Sequence, residues 1–296
     1  MSDIENPHPS TGDRKADQRA AKRILRVIRS LLPGDTLKTW VYLNGVLAPR
    51  KLLRRAATSF SRFDFVYDTL KEFSSQYDGR FSILEFGTAQ GYAFAKLLGA
   101  TRYLGLEDRV TVHGFDSFEG LPEATSEDKG ALANPWMKGA YAASYERLRD
   151  YCEKKRFRNY RLYKGYFEDS MTPEVLAQFQ EEQPVIVWVD CDLYTSSVTV
   201  MERLLPFIRS GCVIYFDDYD FNFGSLATGQ ARLVHEINHG RLGPDIDLAL
   251  DTELSWDSRN IYRLLRFAAD APQFRKLKPR RTAPVARDIV DGSPFP

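Results

Sequence analysis

The 296-residue chain predicts an α/β fold: a Rossmann-like, doubly wound, mostly parallel sheet with an antiparallel C-terminal strand pair and a helical N-terminal extension. Three observations carry that expectation. From Phe81 onward, short apolar runs alternate with helical segments. One run, Val185-Ile186-Val187-Trp188-Val189, is apolar without alternation, as a central strand covered on both faces should be. A glycine turn, Gly87-Thr88-Ala89-Gln90-Gly91, links the first run to a helix.

Taken in order, residues 1–14 are rich in Pro, Ser, Asp and Gly and predict a disordered tail. Residues 15–80 form the helical extension. Ile24, Leu25, Val27, Ile28, Leu31 and Leu32 recur at helical spacing and stop at Pro33-Gly34. The opposite face carries Lys15, Arg19, Lys22, Arg23, Arg26 and Arg29, which read as the solvated side of a docked helix rather than a membrane-surface helix. A second basic cluster spans 50–55, and residues 60–73 predict another amphipathic helix. Residues 81–270 form the α/β domain. Its strands are expected at Phe81–Phe86, Val110–Phe115, Tyr160–Lys164, Val185–Asp190 and Cys212–Phe216, with helices at Gly91–Leu98, Ser144–Lys154, Pro173–Gln180 and Ser197–Ile208. Ile246–Leu250 and Ile261–Phe267 predict the closing antiparallel pair. Residues 271–296 are basic and proline-rich and read as a flexible tail.

Lys+Arg 41 against Asp+Glu 40 leaves a formal charge of +1, so the chain exerts no overall pull on nucleic acid. Basic clusters at 15–29, 50–55 and 275–281 stand without an RNA-binding module, and no nucleic-acid partner is expected. Cys152, Cys191 and Cys212 form no CxxC pair and read as buried thiols of a reducing compartment. The N-terminus is polar and lacks a signal-peptide h-region, and no apolar run approaches the ~20 residues of a membrane span. A cytoplasmic protein with no membrane span is expected.

The chemistry concentrates at strand ends, on the one edge where ligands of open α/β sheets bind. Glu85 precedes the turn that holds Gly87, Thr88 and Gly91. The spacing is GxxxG with an acid before it, not GxGxxG, and a carboxylate there repels a pyrophosphate but suits the ammonium and sulfonium of S-adenosylmethionine. Asp116, at the tip of the second strand, stands where a carboxylate grips ribose hydroxyls, and Phe118 or Phe167 is placed to cover an adenine. Asp190 and Asp192 end the fourth strand, and Asp217 and Asp218 end the fifth. Neighbouring strands lie ~4.8 Å apart, so these acids crowd one another unless a cation or a proton neutralises them. Oxygen-only donors of this kind suit Mg²⁺ or Mn²⁺.

Together the words Gly114-Phe115-Asp116-Ser117-Phe118-Glu119-Gly120-Leu121-Pro122, Gly165-Tyr166-Phe167-Glu168-Asp169-Ser170, Asp190-Cys191-Asp192-Leu193-Tyr194 and Phe216-Asp217-Asp218-Tyr219 resemble the macrocin O-methyltransferase family from about Phe81 to Phe267. Members are metal-dependent enzymes that methylate sugar hydroxyls of macrolide antibiotics. A broader likeness is to the catechol O-methyltransferase group. The resemblance implies that Glu85, Gly87, Gly91, Asp116 and Ser117 hold S-adenosylmethionine, and that Asp190, Asp217 and Asp218 bind Mg²⁺. Catechol-type enzymes carry a lysine base shortly after the first metal aspartate; Leu193 and Tyr194 stand there here. The base is therefore open between Asp190, the family-like candidate, Asp192, His235 and His239. The expected acceptor is a hydroxylated small molecule, presenting two neighbouring oxygens, and the expected assembly is a homodimer or higher homo-oligomer. The competing reading is a non-catalytic nucleotide-binding or scaffold protein of the same fold; a nicotinamide-dependent reductase is disfavoured by the missing GxGxxG.

Overall fold

The structure, a computed structural model, describes residues 63–129, 136–255, 260–267 and 274, with Gly45 and Pro49 alone before them. The tail expected over 1–14, the helix at 24–32, the basic clusters at 15–29, 50–55 and 275–281, and the tail over 271–296 apart from Phe274 lie outside the described residues. The chain divides into two compact units, Met1–Arg62 and Phe63–Pro296. The second contains the sheet and everything below.

Helix α1 (Asp64–Gln76) opens this unit. It has no side-chain N-cap and is held by packing: Phe65, Val66, Thr69, Leu70 and Phe73 are buried on one face. Phe63 and Phe65 stack on Trp188 at 5.2 and 5.7 Å, and Phe65 stacks on Tyr215 at 5.2 Å. The sequence placed this helix in the N-terminal extension, whereas its apolar face is part of the sheet's own core.

Seven strands follow in the order β3-β2-β1-β4-β5-β7-β6. They are β1 (Arg80–Phe86), β2 (Val110–Asp116), β3 (Tyr160–Lys164), β4 (Glu182–Val189), β5 (Val213–Phe216), β6 (Ile246–Leu250) and β7 (Ile261–Arg266). The first five are parallel; β7 pairs antiparallel with both β5 and β6, inserting between them. Helices α2 (Tyr92–Tyr103) and α3 (Tyr145–Lys154) join α1 on one face, and α4 (Phe167–Ser170), α5 (Pro173–Ala177), α6 (Tyr194–Leu204) and α7 (Gly229–Asn238) cover the other. Alternate β4 residues supply the two cores: Ile186 and Trp188 face α1, while Val187 and Val189 face α6. This is the doubly wound sheet with its antiparallel closing pair that the alternation of runs predicts. Cys152, Cys191 and Cys212 are buried free thiols. Among the described residues no helix is long and apolar enough to cross a membrane.

Several boundaries differ from expectation, helix α2 for instance running on to Tyr103, and two of the differences have a visible cause. Strand β4 starts three residues early, because Pro184 is accommodated by a bulge: Ser82 lies opposite Pro184 but Ile83 opposite Ile186, so Val185 is an extra residue. Helix α6 starts at Tyr194 instead of Ser197, because its first turn is capped from afar. The Asp128 carboxylate accepts from the Thr195 N–H at 2.9 Å and its hydroxyl at 3.0 Å.

Trp188 is the pivot of the α1 core, fully buried between Phe63, Phe65 and Tyr215. Trp188→Ala should lower stability by about 3–5 kcal/mol, read as a fall in urea midpoint at an unchanged slope.

Candidate active site

The sheet reverses its winding between β1 and β4, and the ladder runs one residue past each strand there. The Gly87 N–H donates to the Phe115 carbonyl (2.9 Å), the Asp190 N–H to that of Phe86 (2.9 Å), and the Asp217 N–H to that of Val189 (3.0 Å). These bonds place the glycine turn and the acidic ends side by side at the switch point. Gly87, at φ +94°, approaches so closely that a Cβ would stand 1.7 Å from the Asp190 carbonyl oxygen. Gly91 begins α2 as its N-cap at φ +81°. Gly114 of β2 leaves room for Thr88 and Phe94, which a Cβ would meet at 2.6 and 2.8 Å.

Glu85 is buried at the end of β1. The buried Thr88 hydroxyl has no hydrogen-bond partner among the described residues, an unmet polar group beside the turn that a ligand can satisfy. Asp116 accepts from the Ala89 N–H at 2.7 Å and the Phe118 N–H at 2.5 Å, tying the turns after β1 and β2 together. Burial pushes its carboxyl up from the ordinary range, while the backbone donors at Ala89, Phe118 and Thr88 pull it down. The Ser117 hydroxyl donates to the Gly120 carbonyl (2.9 Å) and accepts from the Glu119 N–H (3.1 Å), so it is spent on its own turn. Phe118, at φ +58°, packs edge-on to Tyr145 inside the α1 core. Phe167 opens α4 half-buried, its ring edge-on to Phe86 at 5.5 Å.

Asp190, Asp217 and Asp218 converge as expected: one ligand oxygen from each can be chosen so that all lie within 4.8 Å of one another. All three are half-buried, and this donor set fits a hard divalent cation. Tyr215 Oη donates to Asp217 Oδ1 at 2.7 Å, and Trp188 Nε1 to Asp190 Oδ2 at 3.4 Å. Asp192 sits beside them in the left-handed region (φ +55°), its carboxyl pushed up to about 8 by burial and then by the charges of Asp218 and Asp190.

His235 does not join this group. It lies in the last turn of α7, about 7.5 Å along the axis from Gln230 at the site end, with its ring 4.0 Å from that of His239. The helical spacing of the two histidines pairs them with each other on a face near the helix end.

Sequence reasoning missed four residues here. The fully buried Gln230 accepts from the Asp218 N–H at 2.9 Å and donates to the Val189 carbonyl at 3.2 Å, bracing the β5 end against the β4 end. Trp136 packs on Phe221 at 5.2 Å and on Tyr141 at 6.4 Å, joining the loop after β2 to the loop after β5. Burial and the charges of Asp192, Asp218 and Asp190 push the Tyr141 hydroxyl up. A glutamine inside a helix carries no local signal; a Trp and a Tyr flanking Met137-Lys138-Gly139 were the only visible hint of an aromatic loop.

Comparison with known proteins shows the family. The family described as macrocin-O-methyltransferase (TylF) matches residues 61–241, more than half of the chain. Among solved structures, the calicheamicin methyltransferase CalS11 aligns over 90% of this chain and 99% of its own at 20% identity and a TM-score of 0.54. A second structure of CalS11, titled a TDP-rhamnose 3'-O-methyltransferase, aligns over 88% and 97% at 22% identity and 0.45. The O-methyltransferase NovP aligns over 70% and 79% at 21% identity and 0.49. A comparison with curated proteins returned no match. The chain belongs to the macrocin-O-methyltransferase family and is an S-adenosylmethionine-dependent O-methyltransferase, which sets aside the scaffold reading.

Gln230→Ala strips a partner from the Asp218 N–H and the Val189 carbonyl, at about 1–3 kcal/mol per buried group. Turnover should fall about 10²-fold through misplacement of the β5 end, while calorimetric binding of S-adenosylhomocysteine stays nearly unchanged. Unchanged turnover would show that Gln230 only supports the fold.

Proposed function

We propose that the chain methylates a hydroxyl of a vicinal diol on a sugar or similar small natural product, with Mg²⁺ or Mn²⁺ held by Asp190, Asp217 and Asp218. The observation that carries this reading is the meeting of those three carboxylates within 4.8 Å, next to a glycine turn that touches Asp190. Family membership supports the sugar-like acceptor.

In this reading Glu85, Thr88 and Asp116 hold S-adenosylmethionine, with Gly87 and Gly91 shaping the backbone around it and Phe167 flanking the adenine. The role first given to Ser117 passes to its turn, which keeps Asp116 in place. S-adenosylmethionine supplies a methyl group on a positively charged sulfur. A divalent ion, when bound, neutralises the carboxylates and lowers the pKa of a hydroxyl it coordinates. Trp136, Tyr141 and Phe221 pack together where the loops after β2 and β5 meet and offer flat apolar faces to a sugar ring. The hydroxyl proton passes to a carboxylate of the cluster, Asp190 or Asp192. Holding the acceptor in line with the methyl supplies a large share of the rate gain.

A screen of nucleotide sugars, glycosides and simple diols for S-adenosylhomocysteine release with Mg²⁺ tests the whole reading; no turnover on any diol would reject the acceptor class. Asp217→Asn should cut turnover by about 10³-fold, and exhaustive EDTA treatment should abolish it until Mg²⁺ is restored. Full activity after EDTA would remove the metal. Asp192→Asn separates the bases: a loss of turnover with metal binding retained assigns the proton to Asp192, and retained turnover assigns it to Asp190. Among the aromatics, Trp136→Ala should raise the acceptor KM about tenfold and leave cofactor binding alone.

A further inference from the structure

The opposite edge of the sheet holds a second concavity. A cavity of about 540 Å³ opens where β1, β2 and β3 begin, and Arg80, Arg102, Arg156, Arg158 and Arg161 line it. Only two carboxylates share the lining, Glu107 and Asp108. Strands of five to seven residues put it about 20 Å from the aspartates.

The arginines divide by their commitments. Arg102 is fixed: its guanidinium bonds Glu107 at 3.0 Å and the carbonyls of Lys155 and Arg156 at 3.0 and 2.9 Å, and lies over the Phe157 ring at 4.1 Å. Arg80 and Arg161 share the single carboxylate of Glu182, at 2.9 and 3.6 Å. The other oxygen of Glu182 faces His113 at 3.2 Å, a buried ring whose pKa burial lowers, so it adds no compensating anion and no second cation. Arg156 and Arg158 are exposed and have no side-chain ion pair among the described residues. The bowl therefore has an excess of fixed positive charge and two guanidiniums with every donor available. Guanidinium forks match phosphoryl oxygens two at a time, and an anion there would relieve the mutual repulsion of the group. The volume is that of a small-ligand site.

We infer that this arginine-lined cavity is a second binding site, for a small anion bearing two linked phosphoryl groups, such as inorganic pyrophosphate or the diphosphate of a nucleotide. Arg156 and Arg158 grip the phosphoryl oxygens, and Arg80 and Arg161 close the other side. The site is separate from the methyl-transfer edge and does not depend on the acceptor or the metal proposed there.

Calorimetric titration of the full chain tests it, with S-adenosylhomocysteine saturating the cofactor site and no divalent metal added. Pyrophosphate should bind saturably at one equivalent, and an Arg156→Glu/Arg158→Glu double variant should weaken it by about tenfold or more, with S-adenosylhomocysteine affinity unchanged as proof of folding. ADP is titrated in parallel: tighter binding than pyrophosphate identifies a nucleotide, and equal binding identifies the linked phosphates alone. No saturable binding, or the same affinity in the double variant, overturns the inference.

Discussion

The site depends on one extra residue in β4. Ahead of the bulge Ser82 faces Pro184, and after it Ile83 faces Ile186, so every later pair is displaced by Val185. That displacement sets Val189 against Phe86, and the next residue, Asp190, against Gly87. Side chains alternate with a period of two, so a strand without the bulge would bring a different residue to Gly87 and exchange the faces of Ile186 and Trp188 for those of Val187 and Val189. Two cores and the position of Asp190 are thus fixed by one irregularity. Gly87 completes the arrangement, since any Cβ would collide with the Asp190 carbonyl. The cofactor turn and the acidic cluster are consequently a single rigid object.

Crowded carboxylates oppose that arrangement, and the surrounding structure holds them there. The three aspartates are anchored through their backbone: the N–H groups of Asp190, Asp217 and Asp218 are bound by Phe86, Val189 and Gln230. Tyr215 and Trp188 add side-chain bonds to Asp217 and Asp190. Beside them Asp192 favours the protonated carboxyl, by burial first and then by the charges of Asp218 and Asp190. A fold that concentrates negative charge on rigid strand ends is prepared for a cation, because the main cost of ordering the ligands is already met in folding.

Strand positions, the parallel order and the acidic cluster were legible because they rest on local pattern: apolar runs of the right length, glycines at turns, and acids at strand ends. What escaped shares a cause. Asp128 caps α6 from 67 residues away, so no cap signal precedes Tyr194, and the sequence suggested a start at Ser197. Gln230 acts through two backbone groups on two other strands, contacts that no periodicity encodes. Ser117 satisfied its motif, yet a three-residue turn absorbed its hydroxyl. His235 looks chemical by spacing, but helix geometry sets it in the last turn of α7, away from the end that meets Asp218. The residues of α1 read as an amphipathic helix of the N-terminal extension, because such a stripe reveals its apolar face but not which surface that face covers.

Selectivity has to reside where the sheet does not reach. The loop after β2 supplies Trp136 and Tyr141, and the loop after β5 supplies Phe221. Just beyond Phe221, Asn222 and Phe223 both lie in the left-handed region, at φ +51° and +61°. Such a conformation costs about 1–2 kcal/mol for each residue with a Cβ, and Phe223, 93% exposed, recovers none of it by packing. A bulky aromatic held strained and in water is poorly explained by stability. Its cost is offset if the ring gains a partner when an acceptor arrives. In the function proposed above, the rigid strand ends govern methyl transfer and the aromatic loops decide which hydroxylated molecule is brought to it.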